Sequence, residues 1–235
     1  NNTYIGGTGD DIIIGGAGRD TLYYAAAESG ITVTLDSTGT NGTIVSSTDG
    51  TDSLKTHFEV LIATNYKDIV DLRLASSGST ILGYGGNDTI YSSIGYGDTL
   101  YGGDGDDIFF ANGGNNIYYG GNAILDTNGD ITGSNASGTD TVNYSDALES
   151  IKIDLDLSLA GGLDDVDVTI EGKSIGSTGD AGQGIDELYG IENVIGSNYT
   201  ADNIYGSNSK NIIISQAYDD YIEARDGDDT VITGT

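Results

Sequence analysis

The amino-acid sequence predicts an all-β chain wound as a solenoid of short, stacked parallel strands, and three observations carry that expectation. Glycine is abundant, with 38 in 235 residues, while proline, cysteine, methionine and tryptophan are absent, which is far from ordinary globular usage. Isoleucine, leucine, valine and tyrosine are nevertheless plentiful and recur at fixed positions, so the chain has the apolar residues that a disordered segment lacks. Finally, a nine-residue beat runs through much of the length, and a fixed short period is the mark of stacked repeats.

The beat is clearest near the start. Gly6 to Tyr23 reads GGTGDDIII and then GGAGRDTLY, two tandem matches to G-G-x-G-x-D-x-U-x, where U is a large apolar residue. A third full unit, GGDGDDIFF, spans Gly102 to Phe110, with looser copies at Gly83 to Tyr91, around Asp98, and at Ala111 to Tyr119. The sixth positions there are Asp88, Asp98, Asp107 and Asn116, and only the step from 88 to 98 departs from nine. In the tail, Asp202, Asn211, Asp220 and Asp229 keep the interval, each followed two residues on by Ile204, Ile213, Ile222 or Val231, although most glycines are gone.

The x-U-x triplet reads as a short strand whose central side chain points one way and its neighbours the other. G-G-x-G-x-D reads as a turn in which glycine tolerates positive φ and exposes carbonyls. Two such nonapeptides, each a turn and a triplet, make a coil of about 18 residues. Stacked coils place the U residues inside as apolar ladders and bring aspartates of successive coils one above another on an edge. Hard oxygens converging there suit calcium, which takes about 6–8 oxygen ligands, and without a cation the stacked carboxylates repel.

These residues resemble the RTX (repeats-in-toxin) calcium-binding nonapeptide, a resemblance that covers the chain unevenly. It implies a right-handed parallel β-roll, with calcium between turns on adjacent coils, held by sixth-position aspartates and by backbone carbonyls. Carried over by position, the side-chain ligands are Asp11, Asp20, Asp88, Asp98 and Asp107, and the carbonyls include Gly7, Gly9, Gly16, Gly18, Gly86, Gly103 and Gly105. Asp88 and Asp107 share an edge and form the most complete site. Asp98 is set opposite Asn116, a weaker neutral ligand, and Asp20 pairs backward with Asn2. Asp229 is the tail's candidate, where the turn glycines are fewest. The partner of Asp11 is expected before residue 1, which, with the absence of methionine, leads to the expectation of an array that begins upstream.

Two longer segments separate the arrays and resemble each other. Each opens Asp-Thr-apolar, continues through an alternating stretch (Ile31, Val33, Leu35; Ile151, Ile153, Leu155), an acidic loop, and an apolar strand with Glu59 or Glu192. The chain therefore reads as two copies of block plus spacer, 1–112 and 113–235, expected to form one elongated unit in which the spacers continue the roll with wider coils. Within the second copy, Asp126, Asn128 and Asp130 imitate the first half of an EF-hand, but Ile131 and Ser137 stand where glycine and glutamate are required, so this and Asp164–Asp167 read as solvated loops.

Function classes narrow on charge and on missing residues. With 37 acidic against 8 basic residues the formal charge is −29, which disfavours nucleic acid and anionic membranes and favours cations. No apolar run approaches the ~18 residues of a membrane span. His57 is the sole histidine and there is no cysteine, so zinc catalysis within this chain is excluded. No G-x-S-x-G elbow is present, and no enzyme is expected.

Ninth-position aromatics, Tyr23, Tyr91, Tyr101, Phe110, Tyr119 and Tyr205, are expected to stack in ladders, Tyr91 on Phe110 and Tyr101 on Tyr119. They serve either as cross-strand packing under a spacer loop or as a face for self-assembly or a cell-surface glycan. The reading that follows is a non-enzymatic module of a secreted bacterial surface protein, an adhesin, S-layer or fibre component, that folds on calcium after type I export. The alternative is the calcium-dependent domain of a secreted protease, lipase or polysaccharide-modifying enzyme. In both, the location is extracellular.

Overall fold

Strands of three residues alternate with turns built on positive φ, and this local rhythm generates the architecture. The structure, a computed structural model, describes residues 1–125, 131–135, 137–155, 165–169 and 185–234. In chain order the strands begin β1 (Thr3–Ile5), β2 (Ile12–Ile13), β3 (Thr21–Tyr23), β4 (Ile31–Leu35), β5 (Gly42–Ser46), β6 (Gly50–Leu54), β7 (Val60–Ile62) and β8 (Ile69–Asp71). They continue β9 (Thr80–Leu82), β10 (Thr89–Tyr91), β11 (Thr99–Tyr101), β12 (Ile108–Phe110), β13 (Ile117–Tyr119), β14 (Asn122–Leu125), β15 (Ile131–Asn135) and β16 (Thr141–Asn143). The last are β17 (Lys152–Asp154), β18 (Asp165–Thr169), β19 (Ile185–Tyr189), β20 (Asn193–Ile195), β21 (Asn203–Tyr205), β22 (Ile212–Gln216), β23 (Tyr221–Glu223) and β24 (Thr230–Thr233). No helix occurs among the described residues.

Successive strands fall alternately into two sheets, one of eight strands (β1-β3-β7-β9-β11-β13-β19-β18) and one of eleven (β2-β6-β5-β4-β8-β10-β12-β16-β20-β22-β24). A third sheet, β17-β21-β23, faces the last strands of the larger one in the chain's tail. Pairing between coils is parallel. Thr99 lies opposite Ile117 on the following coil and opposite Thr80 on the preceding one. This is the architecture of a β-roll, in which a coil free of spacer is a pair of nonapeptides with at most a residue or two added.

Each U residue stacks on the U residue of the next coil. One ladder runs Leu22, Leu61, Ile81, Leu100, Tyr118, Leu188 and the facing one Val33, Val70, Ile90, Phe109, Val142, Val194, Ile213. All thirteen are buried in one core cluster, and the rings of Phe109 and Tyr118 meet between the two sheets with centroids 5.4 Å apart. Burial of this continuous apolar column is the main stabilising term, at roughly 25 cal/mol per Å² removed from water.

The first spacer stays within the larger sheet, but as an antiparallel meander. β4 runs parallel to β8, β5 is antiparallel to β4 and to β6, and β6 then receives β2 in parallel. The reversal lets a long segment return to the same edge while Ile31, Val33, Ile44 and Leu54 enter the core. Sheet pairing runs without interruption across residue 112, through β11 with β13 and β12 with β16. The acidic loop 126–130 and Asp164 lie outside the described residues, whereas Asp165 and Asp167 fall in β18, paired antiparallel with β19.

The aromatic ladders form and one of them is longer than the spacing implies. Tyr91 stacks on Phe110 at 4.3 Å, with the Arg73 guanidinium 4.6 Å over Tyr91, and Tyr101 stacks on Tyr119, which stacks in turn on Tyr189 at 4.6 Å. Tyr101 is only 4 % exposed and packs with Val60, Leu82 and the hairpin residue Ala123, so its ring is taken up by packing.

Candidate metal centre

The turns of the full repeat units share one backbone form. Residues at the second and fourth turn positions have positive φ: Gly7 and Gly9, Gly16 and Gly18, Gly103 and Gly105. In the tail the same two positions are held by Gln216 (69°) and Tyr218 (81°), and by Arg225 (67°) and Gly227 (132°). Side chains in this region cost about 1–2 kcal/mol each relative to glycine, so the shape there is imposed by stacking.

These glycines let coils approach closely. A Cβ on Gly105 would collide with the carbonyl of Gly86, and one on Gly103 with the carbonyl of Tyr84, so a row of carbonyl oxygens faces each next turn. Gly7, Gly9 and Gly16 have open space in the Cβ direction, and Gly18 abuts Asn1, whose Oδ1 accepts the Arg19 N–H at 2.7 Å.

The sixth-position side chains turn inward. Asp20, Asp88, Asp98, Asp107, Asn116 and Asp140 are all exposed by 1 % or less. Each places one oxygen on a backbone N–H of the coil before it. Asp88 N–H donates to Asp107 Oδ1 at 2.7 Å, Asp98 N–H to Asn116 Oδ1 at 3.0 Å, and Asn2 N–H to Asp20 Oδ1 at 2.8 Å. The same bond continues in the tail, where Asn211 N–H donates to Asp229 Oδ1 at 2.9 Å. Asp11 has a forward partner that the repeat spacing does not give. Its N–H donates forward to Asp52 Oδ1 at 2.9 Å, because the meander brings Asp52 back beside the first turn.

The spacers add residues to this ladder, of which the nine-residue beat marked Asp202 alone. Glu59 and Glu192 stand in for aspartate, accepting the N–H of Asp20 at 2.6 Å and of Asp140 at 2.7 Å. Asp68 and Asp202 accept the N–H of Ile31 and Ile151, the equivalent residues of the two spacers. The G-x-D-x-U runs at Gly50–Leu54, Gly138–Val142 and Gly184–Leu188 are the signal that marks Asp52, Asp140 and Asp186.

The second carboxylate oxygen divides the turns into two classes. In three turns a serine or threonine four or five residues before the acid caps that oxygen from within. Asp98 Oδ2 accepts from Ser93 N–H (2.7 Å) and Oγ (2.8 Å), Asp68 Oδ2 from Thr64 N–H (2.8 Å), and Asp202 Oδ2 from Ser197 N–H (2.6 Å). In the spacers a tyrosine does this, Tyr24 for Asp52 and Tyr144 for Asp186, the latter at 2.9 Å. In Asp20, Asp88, Asp107 and Asp140 the second oxygen is buried and has no hydrogen-bond partner.

Burial without a donor disfavours the charged form. Desolvation is the largest cause in each case, and it pushes Asp88 up to about 9, Asp140 to about 8 and Asp107 to about 7, with neighbouring carboxylates adding to the rise. Asp98 is raised by desolvation too, against the lowering bonds from Ser93 and Ser79.

Three of these four acids, Asp88, Asp107 and Asp140, are consecutive on one edge. The Cβ direction of Gly83 meets both Asp88 Oδ2 and the Gly102 carbonyl, and that of Gly102 meets both Asp107 Oδ2 and the Gly120 carbonyl. An unpaired carboxylate oxygen and a carbonyl oxygen thus converge at a place that only glycine leaves open, a donor set that fits a hard divalent cation. Among the described residues no three acidic or histidine side chains converge on one point, so most ligands of such an ion are carbonyls.

His57 belongs to no metal group. Its ring contacts Ser77 Oγ and Ser79 Oγ, each at 3.2 Å, just before β7.

Removing one of the spacer caps tests how much such a partner contributes. Tyr144→Phe leaves the Asp186 carboxylate buried beside an apolar ring and is expected to destabilise the fold by about 1–3 kcal/mol, read as a lower unfolding midpoint in denaturant. An unchanged midpoint would show that Asp186 is already neutral without the tyrosine.

The RTX calcium-binding nonapeptide repeat matches this chain in four copies, at residues 1–26, 78–97, 94–123 and 201–235. These repeats bind calcium ions. Comparison with curated proteins gives no match.

Proposed function

We propose, from the premise that this chain is built on RTX calcium-binding repeats, that it is a non-enzymatic structural module whose folding is gated by calcium. The observation that carries this reading is the run of unpaired, buried carboxylate oxygens at Asp88, Asp107 and Asp140. Ionised, they repel one another in the stacked state and have no donor. A cation held by them and by the glycine carbonyls removes both penalties. Because this ligand set exists only when coils stack, the binding free energy of the ion is folding free energy.

Repeats of this type typify secreted bacterial proteins. No helix among the described residues is long and apolar enough to cross a membrane. The module would stay unfolded where calcium is scarce, pass a type I export channel as an extended chain, and coil outside the cell. There it would serve as a rigid part of an adhesin, surface layer or fibre. The burial of Tyr101 favours a packing role for its ladder over a glycan platform. A role as folding domain of a secreted enzyme shares the same physics and differs in what the rest of the protein contains.

A calcium titration followed by far-UV circular dichroism tests the gate, with magnesium as control and the Asp88→Ala, Asp107→Ala double variant alongside. The expected result is β-signal that rises only with calcium and a variant that needs at least tenfold more of it. A chain fully folded in chelator and indifferent to calcium would overturn the reading.

A further inference from the structure

The repeat match of the second block stops at residue 123, and residues 138–143 fall in no match. Yet Asp140 repeats the carboxylate and close-approach contacts of Asp107. Its Oδ1 accepts the N–H of Asp107 at 2.8 Å, as Asp107 Oδ1 accepts that of Asp88 at 2.7 Å. Its Oδ2 is buried and unpartnered, and its residue is 1 % exposed. The Cβ direction of Gly120 meets Asp140 Oδ2 together with the Gly190 carbonyl, as that of Gly102 meets Asp107 Oδ2 and the Gly120 carbonyl. Gly138, at φ +93°, lies against the Gly105 carbonyl, as Gly105, at φ +132°, lies against that of Gly86. Thr139 N–H donates to Asp106 Oδ1 at 3.0 Å, as Asp106 N–H donates to Asn87 Oδ1 at 3.2 Å. Val142 continues the buried ladder from Phe109.

The first half of the matching turn is Gly120-Gly121, and the second half is Gly138-Thr139-Asp140-Thr141-Val142-Asn143. Read together with one residue between them, they spell G-G-x-G-x-D-x-U-x. What separates them is the antiparallel hairpin of β14 and β15. Its two feet, Asn122 and Ser137, both occupy the x place and both donate to the Oδ1 of Asp104, the third-position residue of the turn above, at 2.6 and 2.7 Å.

We propose that Gly120–Gly121 and Gly138–Asn143 together form a single metal-binding turn, split at its third position by an inserted hairpin, and that this turn holds a calcium ion with the turn of Asp107. The hairpin leaves from the place below the exposed Asp104, so it projects away from the coil while Gly120, Gly138 and Asp140 keep their stacked places. The inference rests on the reading that the unpaired carboxylates take calcium.

Native mass spectrometry of the whole chain in calcium counts the bound ions. Asp140→Asn keeps the Oδ1 acceptor and is expected to bind at least one ion fewer than the parent, as is Asp88→Asn. A second variant replaces residues 122–137 with a single asparagine, which makes the repeat uninterrupted. Its ion count is expected to equal that of the parent. A count higher by one, or an Asp140→Asn variant with the parent's full count while Asp88→Asn loses an ion, would overturn the split turn and leave the calcium reading standing. A parent chain that binds no ion, or an Asp88→Asn variant that loses none, would instead sink the calcium reading itself.

Discussion

In chelator, the chain is expected to be most fully folded at or below the ordinary aspartate pKa of 3.8 and to lose its β-signal as the pH rises through about 7 to about 9. At the acid end, Asp88, Asp107 and Asp140 are protonated in the folded and the unfolded chain alike, so their burial costs little. Between 3.8 and the raised values the unfolded chain gives up protons that the folded chain retains, and stability falls with pH wherever the native state binds more protons. Asp186 and Asp202, pushed up to about 7 and about 6 by burial, act in the same direction. Asp71, held low by Arg73, acts in the opposite one, but this pair is partly exposed and contributes little. Calcium reverses the trend, since the ion takes the deprotonated carboxylates and its binding strengthens as protons leave. Circular dichroism from about pH 3.5 to about 9, with and without calcium, checks both halves. A calcium-free chain equally β-rich at both ends would mean that the three acids are compensated by something other than a metal.

The second large effect is expected at a glycine. In Gly102→Ala the new methyl would occupy the space of Asp107 Oδ2 and stand 2.8 Å from the Gly120 carbonyl, so the acid must leave its place and the site between the coils closes. We expect loss of at least one bound ion and a calcium midpoint raised about tenfold or more, the equivalent of at least about 1.4 kcal/mol. Gly7→Ala is the control. Its φ of +79° strains alanine by about 1–2 kcal/mol, but its Cβ direction is empty, so its ion count is expected to stay at the parent value. Equal ion counts in the two variants would show that the cradle at Gly102 is packing and no more.

The contrast between the two turn classes has a consequence for assembly. Coils whose sixth-position side chains are capped by Thr64, Ser93, Ser197 or Ser207 have their hydrogen bonds without an ion, whereas the coils of Asp88, Asp107 and Asp140 do not. Capped coils flank the uncapped run on the Asp88 edge, through Asp68, and return in the tail. Calcium is therefore needed most along the run of Asp88, Asp107 and Asp140, and at Asp20 near the chain's start, where the second oxygen is buried without a donor.

What the sequence determined by itself is the roll. The nine-residue beat sets strand length, and the U residues define the core. The glycines mark the tight turns, because these properties reside within a few neighbouring residues. The adjacency of Asp88 with Asp107, of Asp98 with Asn116 and of Asp20 with Asn2 was legible for the same reason, since a coil unbroken by a spacer keeps the repeat period and brings them into stack. The tertiary structure alone decided which oxygens find a partner. Tyr144 reaches Asp186 across 42 residues, Glu192 reaches Asp140 across 52, and Asp52 returns to Asp11 across 41. Those contacts depend on the path of spacers and of a hairpin whose lengths follow no period, and a local pattern holds no record of where such a path comes back.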